Sequence, residues 1–289
     1  MNDAKARLLD GRAVADRLID HVQAAVAAHV GRGGRRPGLA VVLVGDDAAS
    51  QVYVGHKIKA CERAGMLSRS HRLHHGVGRG ELLALIDSLN QDPEIDGILV
   101  QLPLPAQLDE KAVTARISPD KDVDGFHPRN MGRLAQRDPG LRPCTPRGVM
   151  TLLGAYDIDP KGRHVVIVGA SNIVGRPLAL EMLLAGATVT VAHRFTDELE
   201  RHVKNAEILC VAVGKPGVVD AKWIASGAVV VDIGISRDRH GRIHGDLDHA
   251  ACAARASWLT PVPGGVGPMT VATLLQNTAE AAGLVVLAP

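Results

Sequence analysis

The strongest constraint on this chain is a repeated alternation between short apolar runs and amphipathic stretches. "GLAVVLVG" (38–45), "DGILVQLPLP" (96–105), "RHVVIVG" (163–169), "ATVTVAH" (187–193), "EILCVAVG" (207–214) and "GAVVVDIG" (227–234) are short, β-branched and bounded by glycine or proline. They lack the in/out alternation of a half-exposed strand, which is the pattern of strands covered on both faces, so parallel sheets are expected. Between them "SQVYVGHKIKACERAG" (50–65), "RGELLALIDSLNQ" (79–91) and "GRPLALEMLLAG" (175–186) carry helical spacing. Strand and helix in turn predict an α/β architecture.

At 289 residues the chain has room for about two domains, each with its own core. The rhythm breaks in "GFHPRNMGRLAQRDPGLRPCTP" (125–146), rich in glycine, proline and arginine, which predicts a domain boundary near 145–150. A second irregular stretch, "LTPVPGGVGPMT" (259–270), precedes a last helical pattern, "VATLLQNTAEAAG", which fits either domain.

Composition narrows the partners. With 33 basic and 31 acidic residues the net charge is +2, so no strong field favours nucleic acid or an anionic membrane. Aromatics at 2% leave few platforms for stacking bases. No run approaches the roughly 18 apolar residues of a membrane span, and the N-terminal stretch has charge where a signal peptide needs an apolar core. A cytoplasmic protein with a small partner is expected. Cys61, Cys144, Cys210 and Cys252 form no CxxC pair and read as reduced, mostly buried thiols. No metal is expected. Asp120, Asp122 and Asp124 copy the first half of a calcium loop, but its twelfth position is Met131 and Pro128 interrupts it. The histidines at 71, 74 and 75 and at 240, 244 and 249 have no recognised ligand spacing.

"VVIVGASNIVGRP" (165–177) is a strand, loop and helix start of the dinucleotide-binding kind, with Gly169 and Gly175 in place and Ser171 where the middle glycine is usual. A serine there can cap the helix and offer its hydroxyl to phosphate. A hydrolase nucleophile elbow would need glycine at 173, which is Ile173. A helix capped by serine with no ligand is the bland alternative. The next strand ends in His193 and Arg194, where an NAD site usually carries an acid, so the pattern favours NADP. "VGKPG" (213–217) and "DIGIS" (232–236) would line the same carboxyl edge. In the first half Ser50, Tyr53 and Lys57 share one helical stripe, and Gln101 interrupts an apolar run at a strand end. A lysine on a helix is more often a solvated surface group.

Taken together, "SQVYVGHKIKACERAG", "DGILVQLPLP", "PDKDVDGFHPRNMGRL", "PCTPRGVM", "VVIVGASNIVGRP", "VAVGKPG" and "TPVPGGVGPMTVATLLQNT" resemble the bifunctional methylenetetrahydrofolate dehydrogenase/methenyltetrahydrofolate cyclohydrolase family, in family order over nearly the full length. The resemblance implies an α/β/α catalytic domain of residues 1–148 plus 269–289, a Rossmann-like NADP-binding domain of 149–268, and a cleft between them. It implies Lys57 as catalytic base, Tyr53 covering the folate, Gln101 tuning the lysine and Asp124 holding the pterin. Further folate contacts would come from Ser50, Val100 and Leu102, and from the backbone at Gly265, Val266 and Pro268. NADP would be held by Gly169, Ala170, Ser171, Ile173, Gly175, His193, Arg194, Thr196, Gly214, Ile235 and Thr273. Position 170 is arginine in some members of the family, and Ala170 here shifts the phosphate contact toward Arg194. The same resemblance implies a homodimer acting on tetrahydrofolate derivatives, in the one-carbon metabolism that feeds purine, methionine and histidine synthesis. Two competing readings are a monofunctional NAD(P) dehydrogenase of another small substrate and a folate- or nucleotide-binding protein without catalysis. Decay of methenyltetrahydrofolate without nucleotide separates the first from the bifunctional reading, and turnover in either assay excludes the second.

Overall fold

Buried β-branched runs become parallel strands and the spaced stretches between them become covering helices. The structure is a computed structural model that describes residues 6–289, apart from the side chains of Ala48 and Ala49. The first part of the chain runs β1 (Arg7–Leu8), α1 (Gly11–Gly31), β2 (Gly38–Val44), α2 (Ala48–Arg63), β3 (Leu67–Leu73), α3 (Arg79–Gln91), β4 (Gly97–Val100), α4 (Glu110–Arg116), α5 (Pro128–Ala135) and α6 (Cys144–Gly154). The rest runs β5 (His164–Val168), α7 (Gly175–Leu184), β6 (Thr188–Ala192), α8 (Leu199–Lys204), β7 (Ile208–Val211), β8 (Val229–Asp232), β9 (Ser236–Arg237), β10 (Ile243–His244), α9 (His249–Ala253), β11 (Trp258–Leu259) and α10 (Val266–Ala281).

The chain divides into two units. One comprises Asp16–Cys144 and Val271–Pro289, the other Thr145–Thr270 and the described residues up to Ala15. In the first unit β2 lies between β3 and β4, parallel to both. All seven residues of β2 are buried, and Ala40, Val42 and Val44 pack with Ile98, Leu82 and Ile86 in one core. Strand β3, "LSRSHRL", is not among the expected strands. It is an edge strand with only partial burial, so its polar residues hide the apolar run that marks the others. The irregular stretch from 125 to 146 also holds structure: α5 starts with Pro128 in its first turn, capped by His127, whose Nδ1 accepts from Arg129 N–H at 3.0 Å. Eight residues are too few to display a period, while a proline in the first turn costs no hydrogen bond.

The second unit has a six-stranded sheet in the order β1-β11-β8-β7-β5-β6, with every neighbouring pair parallel, and a separate antiparallel pair β9-β10. Val166, Val168, Leu209, Val211 and Val230 form the centre of its core. The expectation that the first residues join the folate-side domain fails at β1. That strand pairs with β11 at the sheet edge, and Arg7 stacks 3.9 Å over the ring of Trp258. Pairing supplies the hydrogen bonds that an exposed edge would otherwise leave open.

Two glycines of the loop after β5 are required by close backbone approach. Gly169 has φ +121°, and a Cβ there would lie 2.2 Å from the carbonyl oxygen of Ala212; a Cβ on Gly175 would lie 1.8 Å from the oxygen of Gly169. The middle position of the fingerprint carries no such crowding against the chain, so serine is sterically allowed. Gly175→Ala should therefore lower stability by about 1 to 3 kcal/mol through overpacking. Gly132, in α5, has no atom within 4 Å of an added Cβ, and Gly132→Ala should raise stability by about 0.5 to 1 kcal/mol. Urea midpoints of the two variants check this, and the reverse order would contradict it.

Candidate active site

In the first unit the strands run parallel, so their carboxyl ends share one edge, and the chain leaves β2 toward β3 on one side and reaches β4 on the other. Ligands of open α/β sheets bind at such a switch of direction. Helix α2 begins there, with the Asp47 carboxylate accepting Ser50 N–H at 2.7 Å. Tyr53 and Lys57 follow one turn apart. Lys57 is only 4% exposed. Its Nζ donates to Gln101 Oε1 at 3.0 Å and lies 5.0 Å from the centre of the Tyr53 ring. Gln101, directly after β4, donates Nε2–H to the carbonyl of Leu102 at 2.7 Å and its own backbone N–H to Val42 O at 2.9 Å. That network settles which end of the amide faces the lysine.

Asp124 approaches from the segment that follows the bridge between Ile98 and Asp122. Asp122 braces this segment: its Oδ2 accepts from His127 N–H at 2.7 Å and from Asn130 Nδ2 at 3.0 Å. Behind it, Asn277 on α10 donates to the carbonyls of Val123 and Arg142 at 2.7 and 2.8 Å, and the Cys144 thiol donates to the carbonyl of Val123 at 3.1 Å. Burial holds the Lys57 amine below the ordinary lysine range, against the pull of Asp124. Asp124 keeps some open surface, yet the protein around its carboxyl pushes it up to about 6, with Lys57 drawing it back. Each group thus disfavours its own charge and favours the other's.

The second unit has its own switch of direction, because the chain leaves β5 toward β6 on one side and returns to β7 on the other. The loops after β5, β6 and β7 enclose a cavity of about 690 Å³ at that edge. Arg176, Arg194 and Lys215 line it, and no acidic residue is among the described lining residues. His193 and Thr196 close a turn, with His193 N–H donating to Thr196 Oγ1 at 2.8 Å and Thr196 N–H to His193 O at 2.8 Å. Arg194 and Phe195 stand at its tip, the guanidinium 4.5 Å from the ring centre. Ser171 is exposed, and its Oγ accepts Val174 N–H at 3.1 Å, just ahead of α7.

Of the expected folate residues, Ser50, Tyr53, Lys57, Gln101, Leu102 and Asp124 lie in the first unit. The side chain of Val100 is taken up by the core there. Gly265, Val266 and Pro268 belong to the second unit, where Gly265 and Val266 are buried. Of the expected nucleotide residues, Gly169, Ala170, Ser171, His193, Arg194 and Thr196 line the cavity. Gly175 shapes the loop from below. Ile173, Gly214 and Ile235 are exposed in the same unit, outside the cavity lining. Thr273 departs from expectation: it has no exposed surface and lies in the other unit, so it offers no face to a nucleotide in this conformation. Arg176 is not among the expected residues, and Lys215 enters the expectation only as part of the loop "VGKPG". Their sequence signal is slight, a cation after the last loop glycine and another inside "VGKPG".

Comparison with known proteins agrees with this geometry over both units. Residues 9–124 match the family described as tetrahydrofolate dehydrogenase/cyclohydrolase, catalytic domain, and residues 143–285 match its NAD(P)-binding domain. The bifunctional methylenetetrahydrofolate dehydrogenase/cyclohydrolase of Campylobacter jejuni is 46% identical, with a TM-score of 0.94 over 96% of this chain and 99% of that chain. The Trypanosoma brucei methylenetetrahydrofolate dehydrogenase-cyclohydrolase, solved with NADP cofactor and an inhibitor, is 37% identical, with a TM-score of 0.92 over 96% and 98%. The bifunctional enzyme of Thermoplasma acidophilum is 32% identical, with a TM-score of 0.89 over 96% and 98%. Shikimate 5-dehydrogenase of Thermus thermophilus, at 16% identity and a TM-score of 0.58 over 86% of this chain and 95% of that chain, shares the fold alone. A lysine drawn out of water at one sheet edge and a cation-lined cavity at the other thus lie within two matched domains, and the chain belongs to the tetrahydrofolate dehydrogenase/cyclohydrolase family.

Proposed function

We propose that this enzyme uses NADP to oxidise 5,10-methylenetetrahydrofolate to 5,10-methenyltetrahydrofolate, and then hydrolyses that product to 10-formyltetrahydrofolate. The observation that carries the reading is the buried Lys57 amine held on Gln101 beside Asp124. Oxidation needs little from the protein beyond position, because a nitrogen lone pair on the folate stabilises the cation as hydride departs. NADP, when bound, supplies the hydride acceptor. The cavity fits that cofactor rather than NAD, since Arg176, Arg194 and Lys215 offer charge to a 2′-phosphate and no carboxylate is there to take ribose hydroxyls.

Hydrolysis makes a sharper demand. Water oxygen bonds the methenyl carbon and must lose a proton, and a lysine already held toward its neutral form accepts it. The bond from that carbon to N5 then breaks, N5 takes a proton and the new hydroxyl gives one up, leaving the formyl group on N10. A cation beside Lys57 deepens its neutrality by like-charge repulsion, so the base is made ready by the substrate itself. Gln101 can only accept from the amine, because its own N–H group is engaged by Leu102. It orients the lysine in either charge state. Asp124 holds the pterin through its carboxyl, and Tyr53 covers the folate. The reading includes contacts from Ser50, Leu102, Gly265, Val266 and Pro268, and from the exposed Ile173, Gly214 and Ile235 on the nucleotide side. It extends to a cytoplasmic homodimer in one-carbon metabolism, for which family likeness is the support.

Two substitutions test the two halves. Arg194→Glu replaces a cation at the proposed 2′-phosphate with an anion, and the loss of a charge-assisted contact should raise KM for NADP roughly 10- to 150-fold, while KM for NAD changes little. Steady-state kinetics with both nucleotides decide it, and equal shifts would place the phosphate elsewhere. Lys57→Met keeps the apolar stem and removes the amine, so hydrolysis should fall by about 10²- to 10⁴-fold. Dehydrogenase turnover should fall less, and methenyl intermediate should persist in the coupled assay. Unchanged hydrolysis would remove Lys57 from the mechanism, and equal loss of both activities would make it a residue that positions the folate.

A further inference from the structure

The loop after β7 lines the nucleotide cavity through Ala212, Val213, Lys215 and Val218, yet two of its backbone N–H groups are turned away to a side chain. Val213 N–H and Gly214 N–H both donate to Asp246 Oδ2, at 2.7 and 3.0 Å. Asp246 is 1% exposed, lies 32 residues or more along the chain from both donors, and is not itself part of the cavity lining. Its second oxygen, Oδ1, is buried with no hydrogen-bond partner among the described atoms. A carboxylate in this position is costly to bury, so its retention needs a task that an apolar residue would not perform.

The surroundings are arranged around that side chain. A Cβ on Gly234 would lie 2.0 Å from the Asp246 carboxyl carbon, and a Cβ on Gly245 would lie 2.0 Å from Asp232 Oδ2. Asp232, at the end of β8, accepts from the backbone N–H groups of Asp246 and Leu247 at 3.0 and 3.1 Å and pairs with His249 Nε2 at 3.0 Å. Asp232 thus holds the backbone of Asp246, and Asp246 in turn holds the loop after β7. Two glycines leave the room both carboxylates occupy.

We infer that Asp246 is a positioning residue for the nucleotide cavity: through one carboxylate oxygen it fixes the backbone at Val213 and Gly214, and Gly234 provides the space in which that carboxylate sits. The inference rests on the reading that this cavity takes NADP. Both donors reach the same oxygen, a place that an amide oxygen can also fill as acceptor. Asp246→Asn, with its amide oxygen in the place of Oδ2 and its amine in the place of the unpartnered Oδ1, should preserve the clamp.

The test compares KM for NADP, kcat and nucleotide-free hydrolysis of methenyltetrahydrofolate in the purified enzyme. Asp246→Ala should raise KM for NADP roughly 10-fold or more, from the loss of two hydrogen bonds to a charged group, while hydrolysis, whose proposed base Lys57 lies with Gln101 and Asp124 in the other unit, changes little. Asp246→Asn should stay near the parent in KM. Gly234→Ala should reproduce the alanine phenotype, and the double variant should be no worse than Asp246→Ala alone, because the added methyl then enters vacated space. An unchanged KM in Asp246→Ala overturns the inference, as does Asp246→Asn failing as badly as alanine. If Asp246→Ala does not fold, or loses hydrolysis as fully as NADP binding, the residue is structural and the inference also falls. Arg194→Glu keeps the two ideas apart. A loss of NADP affinity there with none in Asp246→Ala refutes the clamp alone, the converse refutes Arg194 as the phosphate contact and leaves the clamp standing, and no loss in either refutes the placement of NADP in the cavity.

Discussion

Everything at the folate-side site depends on taking the Lys57 amine out of water. An ammonium buried without full compensation lowers its own pKa, and at 4% exposure Lys57 does so despite Asp124 nearby. The counter-charge does not restore the ordinary value, because the desolvation of the amine outweighs the attraction of Asp124, whose own carboxyl burial pushes up to about 6. Both shifts cost folding stability near neutral pH. The raised carboxyl binds its proton more tightly when folded, an advantage present at acid pH and lost as pH rises through about 6. The lowered amine favours the folded state above the ordinary lysine pKa and loses that contribution as pH falls below it. The site is strained electrostatically in the direction that its chemistry uses.

Holding such a pair requires rigid neighbours. Lys57 is on a helix whose start is fixed by Asp47, Gln101 follows a strand whose four residues are all buried, and Asp124 sits on a segment tied by Asp122 and Asn277. The nucleotide unit meets its own demand by the same means, with parallel strands delivering three loops to one carboxyl edge and Gly169 and Gly175 allowing backbone to touch backbone. In both units the sheet provides rigidity, and the loops beyond it provide the functional groups.

Much of this was legible in the sequence because buried parallel strands advertise themselves. "GLAVVLV" and "HVVIV" have no other good reading, and the helices that bear Lys57 and follow Gly175 show plain spacing. What escaped was set by partners that local pattern does not encode. β1 and β11 are two residues each and exist only as neighbours in a sheet, β3 is a polar edge strand, and α5 is too short to show a period. Helix α1 has the apolar spacing of Val14, Leu18, Val22 and Val26 in plain view, but a reading led by strands does not single it out. At the site, Gln101 was legible as a polar residue interrupting an apolar run, and Asp124 only through the family resemblance. The roles of Asp122, Asn277 and Asp246 are visible only as hydrogen bonds across long separations. Thr273 shows the opposite error, a residue inside a matching motif that turns wholly into the core.

The central claim is that the fold itself, before any ligand arrives, moves Lys57 toward its neutral form. It is tested most directly by following the Lys57 side chain in the ligand-free enzyme with carbon-labelled lysine, using Lys57→Met to assign its resonance, across a pH titration by nuclear magnetic resonance. The account expects the Lys57 amine to titrate clearly below the roughly 10.4 of an unperturbed lysine. A Lys57 that titrates at that value, or above it, would contradict it.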